Sequence, residues 1–181
     1  MDSSLVKTPQ RIAITGGSGA GKTTLGKHLA KRLDAVFVEV DAIQHKANWV
    51  KASKEEIRLA IYANLDGKSK WVIDNFCERE VGDYITSRAD VLIWLDLPLL
   101  VKLVRLLRRS SSRLWKREVL WNGNKESLRG VFIDRDGVLI YPLRTHFKQR
   151  RNMLARLNQE KIVRLRSLKE LKSWLETHDL N

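Results

Sequence analysis

The sequence predicts an α/β domain built on a parallel sheet, and three observations support that prediction. Short apolar runs alternate with helical patterns along the 181 residues, as in strand–helix–strand units with parallel strands. A glycine-rich run containing a lysine follows the first apolar run. Three later apolar runs are followed by Asp41, Asp74 and Asp96. Because ligands of open α/β sheets bind beyond the carboxyl ends of the strands, these carboxylates are expected in one crevice with the glycine-rich run. Ordinary turn chemistry is the alternative for any single aspartate.

Each element of this domain is predicted from apolar periodicity and from residues that begin helices. The strands are predicted at residues 11–15, 36–40, 71–73, 91–95 and 162–165. The helices are predicted at 24–33, 53–65, 81–88, from Pro98 onward and after Ser167. Capping boxes formed by Ser53 with Glu56 and by Ser167 with Glu170 indicate two of the helix starts, and Pro98 suits the first turn of another.

The glycine-rich run between the first strand and the first helix fits the pattern G-x-x-x-x-G-K-[ST] at every constrained position. Glycines let successive backbone N–H groups turn inward around a phosphate at the positive end of the helix. A glycine-rich turn with an unrelated lysine is the alternative, but the strand and helix on either side favour a nucleoside-triphosphate site. A dinucleotide fingerprint fails, since Lys22 stands where its third glycine would be. The predicted ATP-binding residues are Gly16, Gly17, Ser18, Gly19, Ala20, Gly21, Lys22, Thr23 and Thr24.

Length and composition bound the class of protein. A chain of 181 residues with 43% hydrophobic residues predicts one globular domain over 1–181. Residues 1–4 lack the pattern of a signal peptide, and no apolar run approaches the roughly 20 residues that span a bilayer. We therefore expect a cytoplasmic protein with no membrane partner. The single cysteine, Cys77, excludes an internal disulfide and is expected to be buried.

The net charge of +13 is concentrated in the second half of the chain. The region 110–151 resists assignment to strands or helices and includes the stretch 135–137, so it predicts a basic, mobile lid. Such charge suits a polyphosphate or a nucleic-acid backbone, and a solvated basic face is the alternative for part of it. The basic residues concerned are Arg105, Arg108, Arg109, Arg113, Lys116, Arg117, Arg129, Arg144, Lys148, Arg150 and Arg151.

Taken together, these motifs resemble the small P-loop nucleotide kinases, specifically the adenylate-kinase-like branch often labelled topology modulation protein. The resemblance extends over nearly the whole chain. It rests on 16–24, on 40–41 followed by Trp49, on 71–75, on 94–98 with the arginines beyond, and on 120–127 with 144–146. It implies a P-loop NTPase three-layer sandwich with a five-stranded parallel sheet in the order 2-3-1-4-5, helices on both faces and a lid after strand four. It also implies γ-phosphoryl transfer from ATP to a small acceptor, with a nucleotide or nucleoside favoured. Adenylate kinases have an arginine where this chain has Glu78, so the acceptor stays unnamed.

Several residues are candidates for the metal and for proton transfer. Lys22 is expected to bridge the β- and γ-phosphates, and the Thr23 hydroxyl to bind Mg²⁺. Asp74 or Asp96 is expected to hold a metal-bound water. Asp41 could accept a proton from an acceptor hydroxyl or bind sugar hydroxyls, and a helix or turn cap is its alternative role.

Three arginines are candidates for stabilising the charge of the transition state. Arg105 and Arg109 are one helical turn apart on a predicted helix, and Arg144 is expected to approach from the lid. Arginine stays charged and can grip phosphate through two N–H groups. Arg108, Arg113, Arg150 and Arg151 include residues expected to be only solvated.

Three functions remain open at the level of the sequence. The first is a kinase acting on a small acceptor. The second is a nucleic-acid-associated ATPase whose basic lid binds DNA or RNA, and the third is a nucleotide-binding regulator without catalysis. Retention of Lys22, Thr23 and the three strand-end aspartates favours the first.

Overall fold

The computed structural model describes residues 8–134, 137–157 and 161–181, so residues 1–4 and the predicted lid residues Arg135 and Asp136 lie outside the described part. Its strands are β1 (Arg11–Gly16), β2 (Val36–Val38), β3 (Trp71–Ile73), β4 (Val91–Leu95) and β5 (Ile162–Leu165). They form a five-stranded, all-parallel sheet in the order β2-β3-β1-β4-β5. The predicted fold class and strand order are confirmed.

Helices connect these strands over the described ranges. They are α1 (Lys22–Leu33), α2 (Val40–Gln44), α3 (Lys54–Leu65), α4 (Glu78–Val81), α5 (Tyr84–Arg88), α6 (Leu99–Lys116), α7 (Leu128–Phe132), α8 (Ile140–Leu154) and α9 (Leu168–Thr177), with 3-10 turns at Ala47–Trp49 and Trp121–Gly123. No helix in the described part of the chain is long and apolar enough to span a bilayer.

Side chains on the two faces of the sheet enter two separate cores, which accounts for the three layers. Ile12 and Ile14 of β1 pack against α1 and α9, whereas Ala13, between them, joins the core beneath α3, α4 and α5. Alternate residues of a strand point to opposite faces, so a central strand covered on both sides is apolar throughout. Cys77 is buried in the second core, as expected, and burial raises the pKa of its thiol to about 12.

The predicted helix caps are present, although one differs in detail. Ser53 and Glu56 form the reciprocal capping box at α3. At α9, Ser167 accepts the N–H of Glu170, but the Glu170 carboxylate accepts the N–H of Arg166. The glutamate therefore reaches one residue further back than the predicted box requires.

Two predicted elements around the site were wrong. The second strand ends at Val38 rather than at residue 40, because the Val40 N–H donates to the Asp74 carboxylate at 2.8 Å and the chain turns into α2. Asp41 therefore lies in the first turn of a helix, not at a strand end. The helix predicted at 81–88 is divided into α4 and α5 at Gly82, whose φ of 59° is left-handed.

The insertion 110–151 is far more regular than expected. Its first residues continue α6, and α7 and α8 follow. The reason lies in tertiary packing: Leu106 and Ser110 of α6 are fully buried, and Pro142 and His146 of α8 are buried where α8 packs against α6. Mutual burial supplies the stability that the weak local pattern of this region does not indicate.

The close approach of the phosphate loop to α6 generates a stability prediction. Gly19 has a φ of +78°, and a Cβ there would lie 2.6 Å from the Lys102 carbonyl oxygen and 2.8 Å from the Leu106 side chain. We expect Gly19→Ala to cost about 1–2 kcal/mol from the left-handed backbone and about 1–3 kcal/mol from overpacking. Gly67→Ala is the matched control, since its φ is +71° with open space around it. Urea unfolding would measure both, and equal losses would show that the contact with α6 does not constrain the loop.

Candidate functional site

The phosphate loop occupies the turn between β1 and α1. Gly16, Gly19 and Gly21 have φ angles of 148°, 78° and 101°, values that side chains disfavour. Within the loop, the Lys22 ammonium donates to the Gly16 carbonyl at 2.9 Å. Burial lowers the pKa of Lys22, whereas the nearby Asp41 and Asp74 carboxylates raise it. The loop thus presents a desolvated cation beside two carboxylates.

The Asp74 carboxylate is the most constrained polar group of the site. It follows β3 directly and is 3% exposed. One oxygen accepts the Thr23 hydroxyl at 2.8 Å, and the other accepts the Val40 N–H at 2.8 Å. Burial raises the pKa of Asp74, against these two hydrogen bonds. The structure therefore brings Thr23 and Asp74 together, and their role in holding a metal stays a prediction.

The donor set of Thr23 and Asp74 fits Mg²⁺. Among the described residues there is no group of three or more His, Cys, Asp or Glu side chains able to hold a metal. Magnesium usually keeps several waters and binds through few carboxylates together with substrate phosphates. A hydroxyl with a carboxylate behind it is consistent with that mode.

Asp96 does not join this group, contrary to expectation. It follows β4 and is buried, but its oxygens accept from Arg150 at 3.2 Å and from Arg164 at 2.6 Å. These arginines come from α8 and β5. Asp96 is absent from the described lining of the cleft below. Its carboxylate is therefore used to join the insertion to the sheet, and Arg150 is ion-paired rather than merely solvated.

An open cleft of about 620 Å³ extends from the phosphate loop to the insertion. Asp41 lines it and is close enough to Lys22 to raise the pKa of that lysine. Its described lining residues are Gly16, Gly17, Ser18, Lys22, Asp41, Gln44, His45, Trp49, Lys51, Asn75, Arg109, Arg113, Leu120, Trp121, Glu126, Ser127, Gly130, Asp134, Gly137, Val138, Tyr141 and Gln149.

The three candidate arginines occupy different positions. Arg105 donates to the Ala20 carbonyl at 3.3 Å, against the phosphate loop. Arg109 lines the cleft and is exposed there. Partial loss of hydration lowers the pKa of Arg109, and the positive charge of Arg113 lowers it further. Arg144 is exposed on α8 and is not among the described lining residues. Arg113, one of four arginines of which some were expected to be only solvated, lines the cleft and pairs with Glu126 at 2.9 Å.

A buried lysine behind the phosphate loop escaped prediction. Lys102 is 3% exposed, and its ammonium lies 2.8 Å from Nδ1 of His146. A Cβ on Gly17 would lie 2.9 Å from that ammonium. Burial lowers the pKa of both Lys102 and His146. The available signal was spacing, since Lys102 stands four residues before Leu106 on the buried face of α6.

Two asparagines join the insertion to the segment after α2. Asn122 donates to the His45 carbonyl at 2.6 Å, and Asn124 donates to the Lys46 carbonyl at 2.9 Å. In return, the backbone N–H of Trp49 donates to the side-chain oxygen of Asn124 at 2.9 Å. We call this set of contacts between 42–49 and 122–125 the asparagine clasp.

The clasp brings three aromatic rings to one end of the cleft. The ring of His45 meets Trp49 edge-on at 5.4 Å and lies within 21° of parallel to Trp121 at 6.4 Å. Their grouping gives the cleft an aromatic wall.

Comparison with known proteins places this site in a kinase fold. A family model described as shikimate kinase matches residues 18–58. A curated shikimate kinase from Prosthecochloris aestuarii is 29% identical over 126 residues, which are 62% of this chain and 64% of that relative. The chain thus spans less than two thirds of the length of the curated relative it matches.

Solved structures resemble the whole domain at low identity. A shikimate kinase from Acinetobacter baumannii, in complex with shikimate, has a TM-score of 0.55 at 16% identity, covering 97% of this chain and 96% of that chain. A gluconokinase from Sinorhizobium meliloti has a TM-score of 0.54 at 16% identity, covering 95% and 90%. The fold is that of P-loop kinases, whereas membership of the adenylate-kinase-like branch stays a prediction.

Proposed function

We propose that this protein is an ATP-dependent P-loop kinase that transfers the γ-phosphoryl group to a hydroxyl of a small acceptor. The observation that carries the proposal is the grouping of Lys22 with the Asp41 and Asp74 carboxylates, where Asp74 accepts the Thr23 hydroxyl and Lys22 and Asp41 line the cleft. A volume of about 620 Å³ suits small molecules. The shikimate kinase and gluconokinase relatives support the same reaction class.

Phosphoryl transfer depends on alignment and on charge neutralisation, and the loop residues provide both. The backbone N–H groups of 17–24 would hold the β-phosphate, and Lys22 would neutralise charge on the β- and γ-phosphates. Thr23 and Asp74 would hold Mg²⁺, which when bound orients the phosphates and offsets their charge. Arg109 in the cleft, with Arg105 beside the loop, would stabilise charge that develops on the transferred group.

Asp41 is placed for proton transfer on the acceptor side. It is exposed, lies in the cleft and is close enough to Lys22 to influence its pKa. As the acceptor oxygen forms its bond to phosphorus, the bond from phosphorus to the bridging oxygen breaks and ADP leaves. Asp41 would accept the proton of the acceptor hydroxyl.

The lining of the cleft supports two classes of acceptor. Lys51, Arg109 and Arg113 suit an anionic group, and the aromatic wall suits a ring. Nucleosides and nucleoside monophosphates form one class, as the sequence resemblance favours. Sugar acids form the other, as the names of the similar proteins favour.

The phosphate site is tested by an acceptor screen beside Lys22→Ala. With ATP and Mg²⁺, we expect the wild type to phosphorylate at least one member of a panel of nucleosides, nucleoside monophosphates, gluconate and shikimate. Removing the loop cation is expected to lower turnover by about 10²–10³-fold. Lys31→Ala, in the exposed last turn of α1, is the control. Intact turnover in Lys22→Ala would contradict the site assignment, and wild-type protein that phosphorylates nothing would contradict the function.

Substitution of Asp74 is expected to separate stability from activity. Burial raises the pKa of Asp74 above its ordinary value of 3.8, so its contribution to stability is full below that value and is lost as pH rises through the folded pKa. The unfolding midpoint of Asp74→Asn, relative to that of the wild type, should therefore increase as pH rises from the ordinary pKa of Asp through the folded pKa of Asp74. Its turnover should fall by about 10–100-fold. Thermal unfolding at several pH values would check the sign, and a difference that shrinks with pH would refute it.

The role of Arg109 is tested by a substitution that keeps the charge. Arg109→Lys would lose two-pronged contact with phosphate, the equivalent of one charge-assisted hydrogen bond, and kcat/KM should fall by about 10–100-fold. The neighbouring Arg108, exposed and outside the described cleft lining, provides the control Arg108→Lys. Steady-state kinetics in which both variants behave alike would remove Arg109 from the mechanism.

A further inference from the structure

We propose that Glu126, which the insertion contributes to the cleft, is a specificity-determining residue that accepts a hydrogen bond from a hydroxyl or N–H group of the phosphoryl acceptor. This inference rests on the proposed kinase function, because it identifies a recognition group in the same cleft. It also gives the insertion a role in selecting the acceptor.

The first observation is a half-satisfied carboxylate. The Glu126 side chain is 4% exposed, and its Oε1 accepts from Arg113 at 2.9 Å. Its Oε2 is also buried, but receives no hydrogen bond from any residue in the described ranges. Leaving such an atom unpaired costs about 1–3 kcal/mol, and more for a charged group. Since Glu126 lines the cleft, a ligand there can supply the missing donor.

Arg113 determines what kind of donor fits. Its guanidinium holds one carboxylate oxygen and offsets the negative charge of Glu126 before any ligand arrives. Arg109 adds a second cation to the same cleft. A cationic ligand would therefore be repelled, while a neutral O–H or N–H group can bond to Oε2 without bringing charge into the site.

A second unpaired atom lies across the clasp. Nδ1 of His45 is buried and makes no hydrogen bond to any described residue, and His45 lines the same cleft. The clasp holds its segment against 122–125, immediately before Glu126, and the Trp49 indole donates to the Lys125 carbonyl at 3.1 Å. Two polar atoms with unused hydrogen-bonding capacity thus belong to two segments that contact each other.

Trp49 and Trp121 line the same cleft as these two atoms. A ring that carries more than one hydrogen-bonding group can rest on this aromatic wall while it bonds to Glu126 and His45. Two sources share this chemistry: the hydroxyls of a cyclic or sugar acid and the N–H edge of a nucleobase. The experiment below includes both.

Glu126→Gln tests the assignment with little change of shape. Arg113 would bond the amide oxygen and leave the NH₂ group where Oε2 was, so that a donor would face a donor. The matched control is Glu118→Gln, because Glu118 also lies near Arg113, at 3.7 Å, but is 47% exposed and outside the described lining. Binding of shikimate, gluconate, adenosine and AMP would be measured by tryptophan fluorescence with a non-hydrolysable ATP analogue present.

We expect Glu126→Gln to weaken binding of the preferred compound by about tenfold to a hundredfold, with affinity for the ATP analogue unchanged. Glu118→Gln should bind both ligands as the wild type does. Among analogues of that compound that lack one hydroxyl or one N–H group, one should bind the wild type more weakly by a similar factor. The same analogue should bind Glu126→Gln no more weakly than the parent compound does. If Glu126→Gln fails to fold, this series in the wild type decides alone.

The outcomes separate the two proposals. Binding that depends on Glu126 without any phosphorylation would defeat the kinase function and leave the recognition site standing. Phosphorylation with unchanged acceptor affinity in Glu126→Gln, or with no analogue weakened, would overturn the recognition site and leave the kinase function standing. If none of the four compounds binds to the wild type, the recognition site is overturned, and the wider acceptor screen decides the kinase function by itself.

Discussion

The site depends on one buried carboxylate, Asp74, and on the two hydrogen bonds that satisfy it. A charged group that is 3% exposed is tolerated only when its oxygens are paired. Thr23 supplies one donor and the Val40 N–H the other. The first bond fixes the start of α1 relative to β3, and the second fixes the start of α2. Since Asp41 follows Val40, the same carboxylate positions both the Thr23 hydroxyl and the helix turn that carries Asp41.

The second organising element is α6, which has one face buried in the protein and an adjacent face that carries arginines. Lys102, Leu106 and Ser110 recur every fourth residue on its buried face and pack behind the phosphate loop and under α8. An adjacent stripe consists of Arg105, Arg109 and Arg113, which contact the loop, the cleft and Glu126 in turn. One helix thus carries a cation beside the phosphate loop and two cations in the cleft. Part of the net charge of +13 is therefore directed at the site.

Local pattern and sequence distance account for what the sequence could predict. The phosphate loop and the central strands are continuous segments with strong periodicity, and the expected proximity of Asp74 to Thr23 followed from the geometry of parallel strand ends. The prediction that Asp96 lies in the same crevice as the phosphate loop was wrong because its partners are 54 and 68 residues away in the sequence. A position at the end of a strand does not indicate such partners. The burial of Glu126 and Lys102 was not predicted for the same reason. The sequence pattern of a charged residue in a basic region indicates solvent exposure, and only its tertiary neighbours show that it is buried.

The asparagine clasp joins backbone segments that lie about 80 residues apart in the chain. Neither segment can be inherited separately, because each supplies the hydrogen bonds that hold the shape of the other. Recombination between related chains would preserve this end of the cleft only when both segments come from the same parent. In a library of chimeras, 42–49 and 122–125 therefore form a single exchangeable unit.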